Sequence, residues 1–491
     1  MTASASARHT TTGVHARVTA LATAVRDHPG RVYRYSVPVF LVSVAMLLAH
    51  LDGRFLDLEV YRLGVRTWLS GGDIYGPLPV TSAGISLPFI YPPFAALTMV
   101  PVTVTGWVVA WVTVFVVSLL SLAVTMYVVL RRLWPTAGRA VVLAGTSALV
   151  TAGLALDPVL ETFKFGQVNL LLMAMVTVDC LSPRTRWPRG LLVGLAAAIK
   201  LTPAAFVLYF VLRRDYRAAA VTVVSAVAAT GLSALVAPSA SARYWLGGLA
   251  GASGVSGSPF YTNQTFQAVF ARAGILGTGR SVICLVLSVG LLVLAVPVIR
   301  RAPAPLAMVT TAGVALLVSP TSWSHHWVWI APALLVGGVT AWRARSRAWA
   351  VATAVLAVVF VVAPHQFLPH DQGREVGWPP VEQVLGDSYV IVTVVVYVLL
   401  GVSYRRRSRS ALSDSGPGEA GPGDAAGSGR RAAGDSDGGS GGRPARDSAG
   451  DAAAPGGSDG AAGTGDRSTA GGHGAPARAD DVGGRPEPTA T

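Results

Sequence analysis

Charge is scarce in this chain. Only 13% of its 491 residues are Asp, Glu, Lys or Arg, about half of what a soluble domain carries. So little charge leaves too little water-facing surface for a soluble protein of this length. Cysteine is scarcer still. Cys180 and Cys284 both fall in apolar runs, which argues against a disulfide framework and a zinc site alike. Walker A, Rossmann, kinase and DxD patterns are missing, as is any soluble domain for a nucleotide sugar, so a sugar donor would already reside in the bilayer. With no HExxH or carboxylate-His spacing, no metal and no cofactor are expected. Residues 405–491 contain no aromatic residue at all. A Gly/Ala/Pro/Asp/Arg-rich tail of that kind buries too little apolar surface to offset its chain entropy and is expected to be disordered.

What is present is apolar length. Hydrophobic residues make up 52% of the chain, and several runs reach the roughly 20 residues needed to cross a bilayer. Spans are expected over 36–51, 107–130, 140–156, 167–182, 218–236, 281–299, 303–319, 327–342, 347–363 and 388–404. Residues 190–212 are interrupted by Lys200-Leu201-Thr202-Pro203, and each half is too short to span alone, which predicts a broken or re-entrant pair. Residues 91–104 read as a short helix dipping in after Tyr91-Pro92-Pro93. The expected architecture is an all-α polytopic membrane protein with about 10–12 transmembrane helices. Its parts are a basic N-terminal segment (1–34), a membrane domain (35–404) and the tail (405–491). No cleavable signal peptide is expected, because the first run ends in His50-Leu51-Asp52 and not in small residues.

The net charge of +14 does not point to nucleic acid, because the basic residues form small clusters between apolar runs. All but two of the 39 basic residues are arginine, the exceptions being Lys164 and Lys200. Placing the Arg clusters in the cytoplasm follows the positive-inside bias. The loops 52–90, 157–166, 237–279, 320–326 and 364–387 are then extracytoplasmic. Ten of the 13 acidic residues before residue 405 lie in them, an asymmetry that supports the orientation.

Five segments carry candidate chemistry. Asp57 lies just outside the first span, where partial burial would raise its pKa and poise it as a general base. Asp is also a good N-cap, and spacing alone leaves both roles open. Glu59 faces elsewhere on a helix and reads as surface or structural. Lys164, Gln167 and Asn169 stand where a lipid head would sit, or else serve as a snorkelling lysine and interhelical amides. Lys200, inside an apolar stretch, would pair well with a phosphate; a carboxylate or a carbonyl cluster at the helix break would serve it equally. His325 and His326, beside Trp323, are adjacent and so lack the i, i+4 spacing of a metal pair. They read either as donors to a departing phosphate, with tryptophan stacking on sugar, or as an interfacial belt. Asn263 and Gln264 would bind sugar hydroxyls or simply precede a helix.

Taken together these segments resemble glycosyltransferase family eighty-seven, the GT-C-type, polyprenyl-phosphate-mannose-dependent membrane mannosyltransferases of actinobacteria. The resemblance rests on Asp57-Leu58-Glu59-Val60-Tyr61, Phe89-Ile90-Tyr91-Pro92-Pro93, Phe165-Gly166-Gln167-Val168-Asn169, Lys200-Leu201-Thr202-Pro203, Asn263-Gln264-Thr265 and Ser319 to Trp327, in the family's order. It implies a GT-C-like fold and an inverting enzyme. Mannose would pass from a polyprenyl-phosphate-linked donor to a glycolipid acceptor at the extracytoplasmic face, with α-(1→2) linkage. Asp57 is then the implied base, and His326, with His325 beside it, lies near the donor phosphate. The expected contacts to phosphate or sugar are Lys200, Lys164, Gln167, Asn169, Arg62, Tyr91, Asn263, Gln264 and Trp323. An arabinofuranosyl- or glucosyltransferase is the near rival. A secondary transporter or flippase is the distant one, and it would show two equivalent halves with carboxylates inside spans.

Overall fold

An apolar chain in lipid has no solvent to receive its backbone polar groups, so its runs must close their own hydrogen bonds as helices. The computed structural model describes residues 23, 27, 29–51, 53–247, 256–370 and 372–413. Among these residues there is no strand, only an isolated bridge between Asn263 and Trp323. The all-α expectation therefore holds. From residue 414 onward the tail expected to be disordered lies outside the described residues, as does most of the N-terminal segment. Residues 405–413 depart from their expected assignment, for the last helix runs without a break over Ser388–Ser413.

Among the described residues six helices are long and apolar enough to cross a membrane: Trp107–Leu133, Tyr216–Val236, Gly277–Arg301, Ser324–Ala344, Arg347–Phe367 and Ser388–Arg405. Arg139–Gly153 and Asp157–Phe165 make a seventh if taken together, but they are bent by 78°. Other expected spans are shorter apolar helices, among them Asn169–Leu181 and Ala304–Val318. The short helix after Tyr91-Pro92 is Pro93–Val104, with proline in its first turn. Proline suits that position, where its missing N–H costs nothing.

The segment around Lys200 is broken as expected. Leu191–Ile199 ends at Lys200, whose backbone is extended, and a 3-10 turn over Thr202–Ala205 leads into Phe206–Leu212. Pro203 supplies the reason, since it lacks an N–H and disfavours helix at the residue before it. Leu191–Ile199 packs closely on Tyr216–Val236 because Gly194 has no side chain. A Cβ there would lie 2.4 Å from the Thr222 carbonyl oxygen. The start of the same helix is capped by Asp179, fully buried within Asn169–Leu181, which accepts from the Gly190 and Val193 N–H groups at 2.9 and 3.1 Å. This carboxylate inside a predicted span is thus occupied in capping and is not an ion-coupling group.

Arginines gather helix ends on one side of the bundle. Arg343 donates to the Leu133 carbonyl, and Arg213 to those of Ile299 and Ala302 at 3.1 and 3.0 Å. Elsewhere a buried ion pair joins two loops. Arg272, at the end of helix Phe266–Arg272, meets Asp387 with both side chains essentially unexposed. Arg272 also donates to the carbonyls of Pro259, Phe260 and Asn263. Removing one partner of such a pair strands the other charge in a dry site, at a cost of about 3–5 kcal/mol. Asp387→Ala should therefore lower the melting temperature of the purified protein clearly. Arg243→Gln, which breaks the exposed pair with Asp73, should change stability by about 1 kcal/mol or less. Equal melting temperatures for parent and Asp387→Ala would remove the clamp from this account.

Candidate active site

Asp57 stands in the first turn of helix Leu56–Leu69, but it does not cap it. The N-cap position is Phe55, held in the left-handed region (φ 44°), and no side chain caps the helix. The Asp57 carboxylate instead accepts from Gln167 Nε2 at 2.6 Å. Gln167 reaches it because helix Asp157–Phe165 ends at Gly166 with φ 67°. A Cβ on Gly166 would lie 2.9 Å from the Leu58 Cβ as well as being strained there. Glycine at this one position lets the two helices meet.

Gln167 also donates to the Tyr91 hydroxyl at 3.0 Å, and Tyr61 donates to the same hydroxyl at 3.0 Å. Burial holds both phenols above their ordinary range, so they remain protonated donors. Tyr75 fixes the Tyr91 backbone by donating to its carbonyl at 2.8 Å. Burial pushes the Asp57 carboxyl up to about 6, against the opposing effects of the Gln167 hydrogen bond and the Lys200 charge. Its side chain is still 23% exposed, so a substrate hydroxyl can reach it.

Opposite Asp57 are Lys200 and the histidines. Lys200 Nζ donates to Asn169 Oδ1 at 3.0 Å, lies 2.9 Å from His326 Nε2, and sits over the Tyr91 ring at 5.3 Å. An ammonium has only donors. His326 Nε2 is therefore the acceptor, which puts the imidazole proton on Nδ1. That Nδ1 is buried and has no protein partner, so it is a donor left for a ligand. His325 Nε2 is 4.0 Å from Asp57 Oδ2. The His325 carbonyl accepts from Asn169 Nδ2 at 2.9 Å and from Thr162 at 3.1 Å. Adjacent residues thus serve one cluster because the 3-10 turn Ser324–Trp329 aims one ring at Asp57 and the other at Lys200.

Asp57, Tyr91, Gln167, Asn169, Lys200, His325 and His326 come together as expected candidates. Tyr61 and Thr162 join them. Neither was singled out from sequence, although Tyr61 lies in the quoted first-loop motif. Other candidates are occupied elsewhere. Lys164 pairs with Glu161 at 2.9 Å and is partly exposed. Arg62 is buried and donates to the carbonyls of Val102 and Thr105. Asn263 and Gln264 are fully buried and bind the backbone of Ser322, which knits two loops together. Trp323 packs edge-on against Phe260. Glu59 accepts from the backbone and hydroxyl of Ser82, a structural role as expected. The free, buried Cys180 and Cys284 form no disulfide.

A narrow cavity of ≈ 40 Å³ is lined by Asn169 and His326 on one side and by apolar residues including Leu316 and Trp329 on the other. Those last two also line an apolar cavity of ≈ 100 Å³ that extends through the bundle past Phe360 to Leu400. The unpartnered His326 Nδ1 thus stands beside a narrow, largely apolar cavity, with Lys200, His325 and Asp57 close by. This defines a polytopic membrane protein with a buried polar site among its helices.

Comparison with known proteins gives that class its family. Residues 89–320 match the description "Glycosyltransferase family 87". A Mycobacterium tuberculosis protein named polyprenol-phosphate-mannose-dependent alpha-(1-2)-phosphatidylinositol mannoside mannosyltransferase is 38% identical over 370 residues, covering 72% of this chain and 86% of its own. The Mycolicibacterium smegmatis protein of the same name is 36% identical, covering 72% and 85%. A second M. tuberculosis relative, named for the pentamannoside, is 32% identical, covering 64% and 75%. No solved structure matches. The chain belongs to glycosyltransferase family 87 and is a glycosyltransferase.

With Asp57 as the base, which must be ionised to work, transfer should fall as pH drops through about 6. The Gln167 hydrogen bond favours the ionised carboxylate, and losing it raises the pKa. Gln167→Leu should therefore move the acidic limb of the kcat/KM profile to higher pH. An unmoved limb would show that Gln167 does not tune the base.

Proposed function

We propose that this enzyme transfers mannose from a polyprenyl-phosphate-mannose donor to a hydroxyl of a phosphatidylinositol-mannoside glycolipid, forming an α-(1→2) linkage with Asp57 as general base. The substrates are those in the names of its relatives. The observation that carries the catalytic assignment is the half-reachable Asp57 carboxylate, bound by Gln167 and facing Lys200 and the histidine pair.

The reaction is a single displacement. Asp57 removes the proton from the acceptor hydroxyl. That oxygen bonds to the anomeric carbon from the face opposite the phosphate, and the bond from anomeric carbon to phosphate oxygen breaks with its electron pair leaving on phosphate. A β-linked donor thereby gives an α-linked product. Charge grows on the departing phosphate, where the Lys200 ammonium and the His326 Nδ1–H stabilise it. The side chains beside His326 are largely apolar, which is compatible with a lipid-borne donor.

The active site faces the extracytoplasmic side in this reading. The support is the Arg clusters, which cap helix ends and mark the cytoplasmic end of the bundle under the positive-inside bias. The described part of the tail follows Arg405 and belongs to that cytoplasmic end.

General-base catalysis contributes about 10²–10⁴-fold. Asp57→Asn should lose turnover by about that factor while keeping the parent's melting temperature. His326→Ala should lower kcat and leave the acidic limb near its parental midpoint, because it removes stabilisation of the leaving group and not the base. Near-parental transfer by Asp57→Asn would overturn the assignment. A panel of labelled polyprenyl-phosphate sugars decides the donor, and preference for arabinofuranose or glucose over mannose would replace the proposed substrate.

A further inference from the structure

A second polar pocket, of ≈ 410 Å³, lies between the loop 182–190 and the start of helix Tyr216–Val236. It is lined by Thr185, Arg186, Trp187, Arg189, Asp215 and Arg217, among others. None of these belongs to the Asp57 cluster.

The walls of this pocket are built, and two of its three arginines are unspent. Arg189 donates to the carbonyls of Cys180 and Ser182 at 3.2 and 2.6 Å, holding the end of helix Asn169–Leu181. The Trp187 indole donates to the buried Asp179 at 3.3 Å. The single carboxylate of the lining, Asp215, is occupied in capping the following helix through the Ala218 N–H at 3.1 Å. Arg186 and Arg217 are exposed, and among the described residues neither has a hydrogen-bond or ion-pair partner. Three guanidinium groups therefore meet one carboxylate around a concave space. Arginine recognises phosphate by paired, charge-assisted hydrogen bonds.

The position of the pocket says where such a phosphate comes from. The pocket sits at the end of a membrane span, for Tyr216–Val236 is long and apolar enough to cross a bilayer. Tyr216 is 63% exposed at the start of that helix, and Trp187 lines the pocket. Aromatic residues of this kind mark the headgroup level.

We propose that Arg186, Arg189 and Arg217 form a binding site for the phosphate headgroup of an anionic membrane lipid, separate from the catalytic centre. The lipid sits at the start of helix Leu191–Ile199, whose other end presents Lys200. The inference rests on membrane embedding and does not depend on the role of Asp57.

The test uses the full-length protein purified in neutral detergent, titrated with phosphatidylinositol, phosphatidylcholine or inorganic phosphate. Melting temperature and native mass spectrometry are the readouts. Phosphatidylinositol should raise the melting temperature saturably and remain bound in the gas phase, while phosphatidylcholine should do neither. In Arg186→Gln/Arg217→Gln the apparent affinity should fall about tenfold or more, the usual scale for charged hydrogen bonds. Both side chains are exposed, so the unliganded variant should melt at the parental temperature. An equal response to inorganic phosphate would overturn the lipid source and leave a phosphate site. Undiminished binding by the double variant, or no binding by the parent, would overturn the site itself.

Discussion

An ammonium at the break of an apolar helix must find acceptors on the protein, and the arrangement of this active site follows from satisfying Lys200. An unpaired charge among apolar helices is costly. Asn169 supplies one acceptor and His326 the other. Asn169 and His326 lie on different helices, so the two hydrogen bonds draw Asn169–Leu181 and the Ser324–Trp329 turn toward the broken segment. The same requirement sets the His326 tautomer and leaves its Nδ1–H without a protein partner. Lys200 is thus the reason an imidazole donor is left without a partner beside it.

Asp57 balances this cation without being neutralised by a direct pair. Its own close partner is an amide, Gln167. A carboxylate bonded straight to Lys200 would be held ionised at low pH and would be a weak base. Burial acts the other way and leaves Asp57 near 6, close to the range in which a base is both ionised and able to take a proton. The surrounding hydrogen bonds keep this compromise in place. Tyr61, Tyr91 and Gln167 form one chain of donors and acceptors, and the His325 carbonyl is gripped by Thr162 and Asn169.

The loops above the site are held by contacts that resemble a protein interior. Arg272 and Asp387 join the segment after residue 256 to the start of the last helix. Asp157 accepts from Tyr389 at 2.9 Å and so ties the bent helix carrying Thr162 to that same last helix. The arginines at the far end donate to helix-end carbonyls or line a polar pocket, so one residue type both closes helix ends and shapes a concave surface.

Much was legible in the chain itself. Low charge and long apolar runs dictated a helical membrane protein, because lipid leaves the backbone no alternative. Lys200 before Thr202-Pro203 dictated a broken segment, because proline interrupts the ladder and an ammonium resists burial. Asp57, Gln167, Asn169 and the histidine pair stood out as polar groups at the ends of apolar runs. Their partners did not. The distances from Asp57 to Gln167 and from Lys200 to His326 span 110 and 126 residues of sequence, and local pattern carries no information across such gaps. For the same reason Arg62, Lys164, Asn263 and Gln264 looked available from sequence, yet are taken up by carbonyls, a neighbouring glutamate or loop backbone in the fold. A side chain's chemical type is set by the gene, whereas whether it is spent or free is decided by which groups the tertiary packing brings within about 3 Å.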